Sequence, residues 1–260
     1  MKLLRRILVT LVIAIAVVFA AVEWVAPVAL SFYAAKKAPA VTRVVPADLK
    51  DQSISQALGA KLSYFGYEFE IPWSDLDETH TKLYPKDKPE KCKADLQFRS
   101  GLHLLVTATP PREWVNGLPE ELEASPQELE SAFGTEAMNS DYNFLKTLYA
   151  FTPDAMHHWT LSSAVHAREG LLLIVKSLGT VKAADTGIFN VRNENYKGFQ
   201  QGDPRIRQDG IAVELFSDEG NIEFVFFQKN YKSPTGLTQP EINRIVQSLH
   251  RTRKSIAAAP

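Results

Sequence analysis

The stretch IAVELFSDEGNIEFVFFQK, residues 211–229, decides the fold. Two runs of β-branched and aromatic residues flank Asp218-Glu219-Gly220-Asn221, which has the composition of a hairpin turn. In the second run Ile222, Phe224 and Phe226 fall on one face of a strand, with Val225 and Phe227 on the other. A strand apolar on both faces needs cover on both sides, so it is expected at the centre of its sheet.

Working outward, the next segment reads LTQPEINRIVQSLHR, residues 237–251. Thr238 as N-cap, Glu241 three positions on and Pro240 in the first turn make a capping box. Ile242, Ile245, Val246 and Leu249 then form one apolar stripe, which the sheet is the available surface to bury. On the other side of the hairpin, GIFNVR (187–192) reads as a further strand.

The middle of the chain changes period. Leu122, Leu129 and Phe133 within 119–133, then Phe144, Leu145, Leu148 and Phe151 within 141–151, recur at three- and four-residue spacing and predict helices. A third helix is expected over HWTLSSAVHAREGLLLIVKSLG (158–179), although its LLLIV run read alone also suits a buried strand. Earlier, KLSYFGYEFEIPW (61–73) places Tyr67, Phe69 and Ile71 on one face and Glu68 and Glu70 on the other. ADLQFRSGLHLLVTAT (94–109) supplies two more strands around Ser100-Gly101, and these three strands are expected to pair locally and antiparallel. Strands, helices, strands and a last helix give an α+β class, a largely antiparallel sheet packed with helices as a sandwich.

The amino-terminal residues have a different character. Between Arg6 and Glu23 only Thr10 is polar, a run of about 16 residues that rises ~24 Å as a helix. Arg5 and Arg6 on one side and Trp24 on the other suit the two interfaces of a bilayer. A competing reading is a signal peptide cut after Val18-Phe19-Ala20. The apolar, aromatic sequence that follows Ala20 favours an uncleaved anchor. The expected organisation is an N-terminal transmembrane helix within 1–35, a proline-bearing stalk over 36–46, one domain over 47–255 and a disordered tail at 256–260. The short N-terminal tail favours a single-pass protein with its C-terminal domain extracytoplasmic; cleavage near Ala20 would leave it secreted or periplasmic.

Composition bounds the body further. With 45% hydrophobic and 23% charged residues and a net charge of −1, the chain is that of an ordinary globular protein. The balance gives no electrostatic reason to expect nucleic acid. The lone Cys92 cannot form an internal disulfide.

Four groups of residues invite a chemical reading. Asp75, Asp77, Glu78 and His80 lie together as a metal set would, but without the glycine or distal glutamate of a calcium loop. Ser162 and His166, four apart with Glu169 nearby, have the composition of a nucleophile and base, yet no G-x-S-x-G elbow accompanies them. His157, His158 and His166 lack the H-E-x-x-H spacing of a zinc site. Lys82, Lys86, Lys88, Lys91 and Lys93 are interleaved with acids and read as a solvated loop. No catalytic residue, metal or cofactor is assigned on this basis. The expected function is a membrane-anchored accessory or binding protein with the bilayer and an envelope protein as partners. The alternative is an exported hydrolase or metal-dependent enzyme using Ser162 and His166 or the Asp75–His80 cluster.

The early Phe69-Glu70-Ile71-Pro72-Trp73 strand, the late hairpin and the final helix of the type I-x-x-I-V-x-S-L (Ile242 to Leu249) resemble the PsbP-like fold. That resemblance implies an exported or membrane-associated accessory role.

Overall fold

The computed structural model describes residues 26–84, 92–160, 162–207, 209–228 and 236–252. In chain order its elements are α1 (Ala26–Lys37), β1 (Pro46–Asp48), β2 (Ala60–Tyr64), β3 (Tyr67–Ile71), β4 (Lys82–Tyr84), β5 (Cys92–Gln97), β6 (Leu102–Thr109), α2 (Glu113–Glu121), α3 (Pro126–Phe133) and α4 (Asp141–Ala150). They continue as α5 (Ser163–Gly179), β7 (Ile188–Arg192), β8 (Lys197–Gln201), β9 (Ile211–Ser217), β10 (Gly220–Gln228), α6 (Gln239–Ser248) and β11 (His250–Arg251). The class is α+β, as the order of periodicities requires.

The hairpin forms as β9 and β10 and lies inside an eight-stranded sheet of order β1-β7-β8-β9-β10-β6-β5-β4. All neighbours are antiparallel except the edge pair β1 and β7. Phe224 sits opposite Val213 on one side and Val106 on the other. Its face is dry: Ile222, Phe224 and Phe226 are buried with Val213, Leu215, Leu104 and Val106. The opposite face of β10 is covered only in part, for Val225 is buried while Phe227 is exposed.

The dry face is closed by a second sheet of order β11-β3-β2 and by α6. Here the structure corrects the expectation of three sequence-local strands: β2 and β3 pair with each other, not with β5 and β6. The reason is the Phe65-Gly66 turn, whose φ values of 55° and 80° turn the chain back after two residues. The hairpin then presents Tyr67, Phe69 and Ile71 to the large sheet, with the Phe69 and Phe224 rings edge-to-face at 5.0 Å. The capping box at Thr238 and Glu241 is present, and α6 buries Ile242, Ile245 and Val246. Leu249 is buried just beyond it.

The helical layer covers the other face over β7, β8 and β9, where Ile188, Phe199 and Phe216 meet Leu129, Phe133, Phe144, Leu148 and Leu172. The helix expected over 119–133 is divided, because Glu123 adopts a φ of 49° and Ser125, Pro126 and Glu128 begin a new helix with their own capping box. LLLIV is helical, and its helix starts at Ser163 after a cap at Ser162, so His158 and Trp159 lie in the turn before it.

Residues 36–46, expected as a stalk, lie against this layer. Thr42 is buried, and Arg43 donates to the Ala35 carbonyl at 2.8 Å and to Asp154 at 2.9 Å. The apolar segment before Glu23, the tail at 256–260 and Lys86, Lys88 and Lys91 lie outside the described residues. Among the described residues no helix is long and apolar enough to cross a membrane.

Candidate functional site

Of the polar residues singled out in the sequence, His157, His158, Ser162, His166 and Glu169 lie where α1, α5 and the 151–162 connection meet. Thr152, Pro153 and Pro39 keep the connections out of the helices, and Ala35, Met156 and Leu173 make a small core between them. A cleft of about 690 Å³ opens between α4 and α5 and is lined among others by Lys146, Thr147, His157, Arg168 and Glu169.

Inside it, Glu169 is only 4% exposed. Its carboxylate accepts the His157 backbone N–H at 3.0 and 3.1 Å and approaches His157 Nδ1 at 2.5 Å. A carboxylate that takes Nδ1–H leaves Nε2 with the lone pair, the arrangement in which an imidazole serves as a base. Among the described residues no hydroxyl or thiol is hydrogen-bonded to that Nε2. The pair twelve residues apart matched no spacing rule, and only the burial of a glutamate on the apolar side of α5 could have signalled it.

The Ser162 and His166 pair is not assembled. Ser162 Oγ accepts from the Val165 N–H at 3.4 Å as a helix cap, and His166 Nε2 donates to the Thr160 carbonyl at 2.9 Å. His166 Nδ1 is buried without a partner. Nor do the three histidines converge: His158 Nδ1 lies 3.1 Å from Ser31 Oγ, with its ring stacked on Phe32 at 4.2 Å.

The acidic cluster is divided between two turns. Asp77 accepts from Thr79 Oγ1 at 2.6 Å and from His80 Nδ1 at 2.8 Å; these bonds, the hydroxyl first, hold its carboxyl down to about 2. Asp75 instead accepts the Ser100 N–H at 2.8 Å and fastens the β5–β6 turn. Among the described residues no group of three or more potential ligands is placed to hold a metal ion.

Among the buried ionisable groups not singled out in the sequence, Lys176 and Glu214 lie on or beneath the helices of the α4–α5 cleft. Lys176 is fully buried on α5, and its ammonium donates to the carbonyls of Thr42, Val44, Tyr149 and Phe151 at 2.8–3.0 Å. Burial pushes it down to about 8, against four oxygens that favour the charge. The last two carbonyls belong to the C-terminal end of α4, where a cation also meets the helix dipole. Glu214, on β9 beneath α4, accepts from Tyr149 Oη at 3.2 Å and from Gln201 Nε2 at 3.0 Å. Burial, then the charge of Glu223 opposite it, pushes it up to about 8, so the carboxyl is protonated at neutral pH. Tyr149 thus touches both groups, through its carbonyl and its hydroxyl.

A second, larger cleft of about 1160 Å³ follows the β1, β7 and β8 edge. Several of its polar side chains make structural contacts: Asn190 with Asp48 at 3.1 Å, Asn243 with the carbonyls of Asp51 and Ser53, and the Lys197 ammonium 4.4 Å above the Tyr142 ring. No protein-family model matches the chain, and neither a curated protein nor a solved structure does.

Proposed function

We propose that the protein is a single-pass, membrane-anchored accessory protein whose α+β domain stands outside the cytoplasm and binds a partner in the cell envelope. The observation that carries this reading is the fastening of the segment next to the apolar leader. The described part of α1, Ala26–Lys37, follows closely on the Glu23 that closes the apolar run in the sequence, and the chain behind it is gripped by Lys176 through Thr42 and Val44 and by Arg43 through Ala35 and Asp154. An anchor joined in this way holds the domain at a fixed distance from the membrane, which suits presentation of a binding surface. The occupation of Ser162, His166, Asp75 and Asp77 by caps and turns supports a non-enzymatic role, and the PsbP-like resemblance agrees with an accessory one.

Fractionation with carbonate extraction, followed by protease treatment of intact and permeabilised cells, tests the reading. The full-length chain is expected in the extracted membrane pellet, with its domain digested from the outside. Recovery in the soluble fraction as a chain beginning at Ala21 overturns it.

One observation favours a second reading, an exported hydrolase using His157. It is the buried Glu169 that orients the imidazole within an open cleft. Turnover of a panel of nitrophenyl esters that vanishes in His157→Gln would support it, and turnover equal in the two proteins would remove it.

A further inference from the structure

Thirteen large apolar side chains are exposed among the described residues, and six of them, Leu30, Phe32, Tyr33, Trp159, Ile174 and Leu178, lie on α1, on α5 and in the turn before α5. The other seven are scattered along the chain from Val45 to Phe227. α1 has two distinct sides. Ser31 and Ala35 are buried towards His158 and the small core with Leu173, while Leu30 and Tyr33, 64% and 61% exposed, point to solvent with Lys37 one turn further on. On α5, Ile174 and Leu178 are one turn apart and outward, whereas Leu172, Leu173 and Lys176 face inward. Phe32 joins the two surfaces, stacked on His158 and edge-on to Trp159 at 5.2 Å. Trp159 is 82% exposed. Its indole is held out by the turn, not enclosed by it.

We propose that this face lies in the interfacial layer of a bilayer, with Trp159, Tyr33 and Leu30 at headgroup depth, so that the domain rests on the membrane as well as being tethered to it. The inference rests on the anchor reading above. Chain geometry selects lipid over other occupants. Leu30 and Tyr33 stand only ~6–11 Å along the helix axis from Ala26, which follows by three residues the Glu23 that closes the apolar run in the sequence, a distance comparable to the depth of the headgroup region. The chemistry agrees: indole and phenol rings prefer the boundary between water and hydrocarbon, and aliphatic side chains beside them add apolar area. Lys36 and Lys37, exposed at the end of α1, supply the positive charge that anionic headgroups attract. Ser31 against His158, the Ala35–Met156–Leu173 core and the Lys176 bonds to Thr42 and Val44 just beyond α1 hold α1 against α5, so both stripes meet the surface together.

Tryptophan quenching by acyl-chain-brominated lipid separates this proposal from the anchor reading. The full-length chain would be reconstituted into phosphatidylcholine–phosphatidylglycerol vesicles as Trp24→Phe, as Trp159→Phe and as the double variant, whose remaining Trp73 and Trp114 give the background. Trp159, read as the difference between Trp24→Phe and the double variant, is expected to lose roughly half of its emission in brominated vesicles. Adding Ile174→Glu and Leu178→Glu should abolish that loss while leaving the quenching of Trp24 unchanged. Quenching of Trp24 with none of Trp159 overturns the proposal and leaves the anchor standing, as does protection of Trp159 by a second copy or an envelope protein. Absence of quenching at both positions overturns the anchor and this proposal together.

Discussion

The two faces of the large sheet are buried by different means. On the side of β3 and α6 the core runs from Phe69 and Ile71 through Leu104 and Val106 to Phe224 and Phe226, and the buried polar groups there, Gln200, Gln239 and Asn243, are uncharged amides bonded to one another. On the helical side the same strands bury Glu214 and Gln201 among the apolar residues, and α4 and α5 add Tyr149 and Lys176. A dry face tolerates any arrangement that fills its volume, but a buried acid and a buried ammonium demand particular partners. The difference assigns bulk stability to the first face and the fixed placement of α1 to the second.

The largest expected effect is on the dry face. Phe224→Ala removes a ring packed against Phe69 and is expected to lower unfolding free energy by about 3–5 kcal/mol, read by urea denaturation. A loss under 1 kcal/mol would mean that this face is not the main source of stability.

Next is the clasp. Lys176→Met leaves four carbonyls without their donor, with an expected loss of about 2–3 kcal/mol. Trypsin should also cut faster after Lys37 and Arg43 while the sheet stays intact. Unchanged cleavage would show that α1 is held without Lys176, by its apolar contacts and the bonds at Ser31 and Ala35.

Per pH unit, the smallest effect is a slope. Glu214 is raised from 4.5 to about 8 in the folded chain, so the folded state holds a proton that the unfolded state has released. Its contribution is fully present below 4.5 and is lost as pH rises through 8, at up to about 1.4 kcal/mol per pH unit. Between pH 5.5 and 7.5 Lys176 is largely protonated in both states and adds little slope, since its own change lies between about 8 and 10.5. Glu214→Gln should therefore flatten the dependence of urea midpoint on pH between 5.5 and 7.5. Identical slopes would mean that the buried carboxyl is charged.

The dry face was also the legible one. Alternation in 61–73, 94–109 and 211–229 and the stripe of α6 mark nearly all of its residues, because period two and a helical period directly record which side faces hydrocarbon. What alternation does not record is partner choice. The small sheet of β2 and β3 is completed by β11, which reaches Tyr67 and Glu68 from the far end of the chain. Strand β8, KGFQQ, went unread because its buried Gln200 and Gln201 are satisfied by Gln239, Tyr149 and Glu214, all remote in sequence. The site residues failed for a related reason: Ser162 and His166 have the right chemistry in a local pattern, yet each finds a nearer backbone partner. Lys176 and Glu214 did leave a trace, a charge on an otherwise apolar stripe, which a reading directed at catalytic motifs passes over.

The parallel register of β1 against β7 has a mechanical consequence. Strand β1 is three residues long, enters at the rim of the large sheet and follows within a few residues of the Lys176 grip. Traction on the amino terminus is thus borne first by the contacts of α1 and the two Lys176 bonds to Thr42 and Val44, and then by a short ladder loaded in shear. The aromatic interior beneath β10 lies behind both, so displacement of the leader moves the whole body as one piece until that fastening gives way.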